Sequence, residues 1–139
     1  MYQIALWNEA RVFFWAAEML PKDNFSRSKP VYFLYCHSIE LALKAKLFYS
    51  GINERELRKI GHDLQFALKK ANLENLTDLE RAKYTIELIN PYYQAKELEY
   101  SVSGLRTLPA FSDMSITAKD VILSVGKAIK IPFAQLKLL

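Results

Sequence analysis

The chain has 139 residues, of which 51% are apolar and 24% charged, with a formal net charge of +4. That length can bury a real core in one domain spanning 1–139, and the composition excludes a disordered or low-complexity chain. A lone cysteine, Cys36, excludes an intrachain disulfide framework and a Cys-based metal site, and suits a reducing cytoplasm; the mild positive charge permits a nucleic-acid or nucleotide partner without demanding one.

The first predicted helix covers about 2–20. Leu6, Ala10, Phe13, Ala17 and Leu20 recur at helical spacing and Pro21 follows as a stop. Glu9, Arg11 and Glu18 interrupt its apolar run, which makes it a poor signal peptide. No uncharged run in the chain is long enough to span a bilayer. The polar stretch "KDNFSRSK" reads as a loop.

A second helix is predicted from Pro30 to about Ser50, with proline in its first turn and Gly51 beyond its end. It is apolar on nearly every side, from Val31 through Ile39 and Leu43 to Phe48, which points to a central, buried helix. Within it, His37, Glu40 and Lys44 share one narrow stripe. Glu40 and Lys44 stand at i and i+4 in the favourable order for pairing. The triplet reads either as a self-satisfied pair near the rim of the bundle or as a polar pocket or dimer surface.

The segment "NERELRKIG" reads as a charged connection. It leads to a third helix at about 62–72, with Leu64, Ala67, Leu68 and Ala71 inward. Gly61 ends the connection. His62 or Asp63 lies in the first turn, where a carboxylate complements the helix dipole and a histidine tends to stay neutral. From 55 to 70 there are five Lys or Arg against two acids, a patch of the kind that attracts phosphates. His62 is therefore either a helix-start residue bonded to backbone or Glu40, or a base beside Arg55 or Arg58. No zinc-ligand spacing, glycine-rich phosphate loop or nucleophile elbow is present, so no cofactor or metal is expected.

The fourth helix is predicted to open at Thr77 with a capping box to Glu80, and its stripe is Leu79, Ala82, Ile86 and Ile89. Asn90-Pro91 is expected to break or kink it, with a helical turn after. Tyr92, Tyr93 and Tyr100 beside the following loop either stack on a base or pack that loop down. "SVSGLRTLPAFSDMS" reads as a long loop. The last helix spans about 115–131, with a second capping-box candidate at Thr117 and Asp120 and Pro132 closing it. The expected fold class is all-α, an up-and-down bundle of about five helices.

"HSIELALKAKLFYSGI" followed by "GHDLQFALKKA" resembles the HEPN superfamily of small helical-bundle domains, and "NPYYQAKELEYSVSGLRTLP" is similar to one bacterial branch of it. The resemblance covers about residues 30–110. It implies a four- or five-helix HEPN-like bundle that often forms a homodimer. It also implies a place in toxin–antitoxin or defence systems, with RNA, a nucleotide, an antitoxin or a nucleotidyltransferase as partner. Some members are metal-independent ribonucleases in which an Arg, separated from a His by four to six intervening residues, acts with it on the RNA phosphodiester. Others are non-catalytic binding modules. Arg55 and His62 have six residues between them and Arg58 and His62 have three, while Glu56 stands where the family often has Asn, Asp or His. Two functions follow as expectations. One is a non-catalytic nucleotide-, RNA- or partner-binding module. The other is a ribonuclease in which His62 takes the 2′-hydroxyl proton and Arg55 or Arg58 stabilises the phosphate.

Overall fold

The computed structural model describes residues 1–22, 25–96, 108–137 and 139, with side chains for all of these except 25–28. Every regular element among them is helical: α1 (Tyr2–Met19), α2 (Phe25–Tyr49), α3 (Glu54–Ile60), α4 (Leu64–Ala71), α5 (Leu79–Gln94), α6 (Phe111–Ala128) and α7 (Phe133–Leu136). Five are substantial and two, α3 and α7, are short. The all-α class stands, with seven helices among the described residues where about five are expected.

α2 is the axis of the molecule. It packs against α1, α3, α4, α5 and α6, most extensively against α1. Its apolar residues explain this placement: Val31, Tyr35, Cys36, Ile39, Ala42, Leu43 and Ala45 are wholly buried, on faces all round the helix. α2 begins at Phe25, so Pro30 lies inside it rather than at its start. The core continues outward through Trp7 and Phe14 of α1, Leu64 of α4, Ile86 and Ile89 of α5, and Val121, Ile122 and Val125 of α6. Trp7 also donates its indole N–H to the Ile122 carbonyl at 2.8 Å, tying α1 to α6. Gly126 of α6 lies close to the same ring. A Cβ there would stand 3.1 Å from Trp7 and 2.5 Å from Leu136 of α7, so a glycine lets three elements meet.

α3 occupies the stretch read as a connection. Its signals are polar. Asn53 caps it by accepting from the Glu56 N–H at 2.9 Å, Glu54 and Glu56 fill the first turn, and Arg58 and Lys59 the last. Only Leu57 is buried, so no apolar stripe announces it. Gly61 ends it at φ +59°, in the left-handed region that favours glycine.

Neither expected capping box forms; the start of α5 takes a local cap and a tertiary one, and α6 has no side-chain cap. Asp78, not Thr77, caps α5, accepting from the Arg81 N–H at 3.1 Å. The Asp120 carboxylate of α6 accepts from the Thr77 N–H at 2.8 Å and the Asp78 N–H at 3.0 Å. Thr117 is buried within α6, six residues past the helix start at Phe111. The break expected at Asn90-Pro91 does not occur. α5 runs through Pro91 to Gln94, and that extra turn carries Tyr93 into the core in line with Ile86 and Ile89. Leu79, expected inward, is exposed. Of the long loop expected over 101–115, residues 101–107 lie outside the described residues, and 111–115 form the first turn of α6 instead.

Candidate functional site

Two helices and a turn gather four polar side chains around one carboxylate. α2 contributes His37, Glu40 and Lys44 at i, i+3 and i+7, which puts them on one line along its axis. The turn between α3 and α4 contributes His62, and the last turn of α5 contributes Tyr93. Glu40 is 5% exposed. Its Oε1 lies 2.7 Å from His62 Nδ1 and accepts from the Tyr93 hydroxyl at 2.6 Å. Its Oε2 accepts from Lys44 Nζ at 2.9 Å. His37 Nδ1 lies 3.2 Å from the Tyr93 hydroxyl.

The hydrogen positions follow from valence. Tyr93 gives its one proton to the carboxylate, so it accepts from His37, and His37 carries its proton on Nδ1. An ionised Glu40 accepts only, so His62 likewise carries a proton on Nδ1 and turns Nε2 outward. Every donor therefore points directly or through Tyr93 to Glu40. The arrangement amounts to a buried Glu40–Lys44 ion pair with its remaining acceptor sites filled, the condition under which a buried pair is tolerated.

Burial pushes the Glu40 carboxyl upward, but the hydrogen bonds from Tyr93 and His62 and the ammonium and hydrogen bond of Lys44 outweigh it, and the group lies below its usual range. Burial lowers His37. Glu40 opposes that shift, while His62 and Lys44 reinforce it. The His37 ring is also held by apolar neighbours, edge-on to Phe13 at 4.5 Å and stacked on Phe33 at 5.6 Å. Burial and the nearby Glu40 carboxylate raise the Cys36 thiol well above its ordinary value, so this cysteine is a packed apolar group.

The other sequence-derived candidates lie apart from this cluster. Arg55 and Arg58 are exposed on α3, and Arg58 sits 3.9 Å from Glu54 on the same helix. Neither makes a hydrogen bond or ion pair to His62, whose bonded partner is Glu40. Asp63 is the N-cap of α4, accepting from the Phe66 N–H at 3.1 Å. Tyr92 is half-buried against the core, Tyr93 is buried, and Tyr100 lies outside the described residues.

Asn90 is a residue that periodicity passes over. It is buried, its Oδ1 accepts from the Leu64 N–H at 2.8 Å, and its Nδ2 donates to Asp63 at 3.1 Å and Gln65 at 3.3 Å. It thereby fixes α5 to the start of α4, and with it the position of His62 next to Glu40. The available signal was a polar residue at an inward position of α5's stripe, one residue after Ile89.

Among the described residues, no cluster of three or more His, Cys, Asp or Glu is arranged to hold a metal ion, and no helix is long and apolar enough to cross a membrane. The chain matches no family model, no curated protein and no solved structure.

Proposed function

We propose that the chain is a HEPN-like helical domain that binds a nucleotide, RNA or protein partner without catalysis, in a cytoplasmic toxin–antitoxin or defence-type system. What carries this reading is the partner of His62. Its Nδ1 is bonded to a carboxylate that also holds Lys44 and Tyr93, and neither nearby arginine bonds to it. An Arg–His pair acting on a phosphodiester needs both groups on one reacting phosphate, and the cluster supplies cohesion between α2, α4 and α5 instead.

A metal-independent ribonuclease is the second reading. One observation favours it: the His62 side chain is 32% exposed, and the Glu40 bond directs its Nε2 away from the carboxylate. Purified protein incubated with mixed RNA in a chelator separates the two. The binding-module reading expects intact RNA with both the native chain and His62→Ala. Cleavage by the native chain that disappears in His62→Ala would replace it with the ribonuclease.

Homodimer formation belongs to the same proposal. Support for it comes from α1, whose outer side exposes Val12, Trp15 and Met19 at i, i+3 and i+7, away from the buried Leu6, Ala10, Phe14 and Ala17. Sedimentation of the native chain and of Trp15→Ser tests it, with dissociation expected only in the variant.

A further inference from the structure

A groove of about 730 Å³ runs between α4 and α5, with Asn90 among its lining residues. Its aliphatic lining is Leu73 and Leu76, both half-buried, over Leu68 and Ile86, which belong to the core. At one rim stands Phe66, 49% exposed although large and apolar, and at the far end Leu79 is 42% exposed. Such side chains at the mouth of an apolar cleft are what a binding surface presents before its partner covers it.

Charge around the groove is uneven. Lys69 and Lys83 line it, while Lys59 and Lys70 stand in the adjoining depression that shares Phe66. None of these four lysines makes an ion pair among the described residues, and Lys70 sits 5.9 Å over the Phe66 ring. Against them are Glu56, Glu87 and Asp63, and the Asp63 carboxylate is already occupied as the α4 cap and by Asn90. Over the groove and the adjoining depression together, four lysines face three carboxylates, a small positive excess.

Resting on the binding-module reading, we infer that this groove takes an acidic amphipathic helix from a protein partner. The aliphatic floor accepts the partner's apolar stripe in the helix-in-groove manner, and acidic residues flanking that stripe meet Lys69, Lys83 and Lys70. Nucleic acid would also satisfy the lysines. Its polar sugar–phosphate backbone covers Leu73, Leu76 and Leu79 poorly, and the groove offers it only one aromatic ring for stacking. A helix satisfies both the floor and the rim.

The test uses a fluorescent 16-residue synthetic helix with leucines at i, i+3, i+4 and i+7 and glutamates on both flanks. Its companions are the same peptide with lysines in place of the glutamates, and a single-stranded RNA of similar length. Anisotropy is expected to show binding of the glutamate peptide and at least about tenfold weaker binding of the lysine peptide. Phe66→Ala is expected to weaken the glutamate peptide about tenfold, as an interface anchor does. Lys69→Glu with Lys83→Glu is expected to reverse the preference between peptides. Tyr84→Ser, on exposed α5 surface outside the groove, should change nothing, and circular dichroism confirms folding of each variant. Equal binding of both peptides, no binding of either, or RNA binding lost in the Phe66 and lysine variants while the peptide is ignored would each overturn the proposal. Because RNA cleavage is read separately, failure here is distinguishable from failure of the non-catalytic reading.

Discussion

The Glu40 cluster and the α4–α5 groove both adjoin the start of α4, through His62 and Asp63, and treat charge in opposite ways. In the cluster, every charge and donor has a partner inside the molecule: Glu40 holds Lys44, His62 and Tyr93, and Tyr93 holds His37. In the groove, the lysines have no ionic partner among the described residues, Leu73 and Leu76 are only half-covered and Leu79 is exposed. A buried charge left alone costs several kcal/mol, so the fold must satisfy it internally. A surface lysine is solvated at little cost and remains free for a partner. Polar residues in the first region hold the helices together, and in the second they are available to something else.

The sharpest way to break this contrast is to remove the hub. Glu40→Ala leaves Lys44 buried without a counterion and strands two further donors. Its expected cost is about 3–5 kcal/mol, measured by urea unfolding. A loss below about 1 kcal/mol would mean that water already reaches the cluster and that its charges are surface-like.

Next in size is Tyr93→Phe. It removes a single hydroxyl that donates to a charged acceptor and accepts from His37, and the expected loss is about 1.5–3 kcal/mol. A double-mutant cycle with Glu40→Gln measures the coupling. If the two effects simply add, Tyr93 belongs to ordinary core packing and the network account fails.

Between pH 8 and pH 4 the pH dependence should follow from His37 and Glu40, the shifted groups whose ordinary values fall in that range. His37 has its folded value below the unfolded one, so the unfolded chain binds more protons as pH drops through the window beneath about 6.5, and stability declines there. Glu40 is also lowered, so the stability it contributes is complete above the ordinary carboxylate range and is lost as pH falls through its folded value. Both terms have the same sign. Melting temperatures recorded from pH 8 to pH 4 should fall toward acid, and His37→Phe should remove the upper part of the decline. An unchanged upper limb in that variant would assign the titration elsewhere.

The smallest expected effect on stability comes from the groove, and it sharpens the comparison from the other side. Lys69→Glu with Lys83→Glu should alter unfolding free energy by no more than about 0.5 kcal/mol, the usual range for solvated surface positions. A larger loss would show that these lysines already serve the fold and are not free for a partner.

Much of the architecture can be read from residue order because it depends on near neighbours. The spacing of Ile86 and Ile89, the run from Val31 to Phe48, and Asp63 beside Gly61 are local facts with local consequences for helix faces and helix starts. α3 was less visible, since its signals are a cap and a charge gradient rather than an apolar stripe. Pro91 misleads for a similar reason. Its cost to the helix is local, while the gain that carries α5 onward is the burial of Tyr93 against α2.

Residue order also placed His37, Glu40 and Lys44 on one line and left two partners open for His62. That choice was made by contacts spanning 22 residues from Glu40 to His62 and 53 from Glu40 to Tyr93, and by Asn90 drawing α5 onto the start of α4. The same holds for Asp120, which caps a helix other than its own across 42 and 43 residues. By itself the sequence determined that the chain is helical, that α2 lies at its centre, and that polar groups share one of its faces. Periodicity and capping act within a few residues, and those features need nothing more. Only the tertiary structure decided which donors reach Glu40 and which lysines stay exposed, because a charge takes its value from what surrounds it in space.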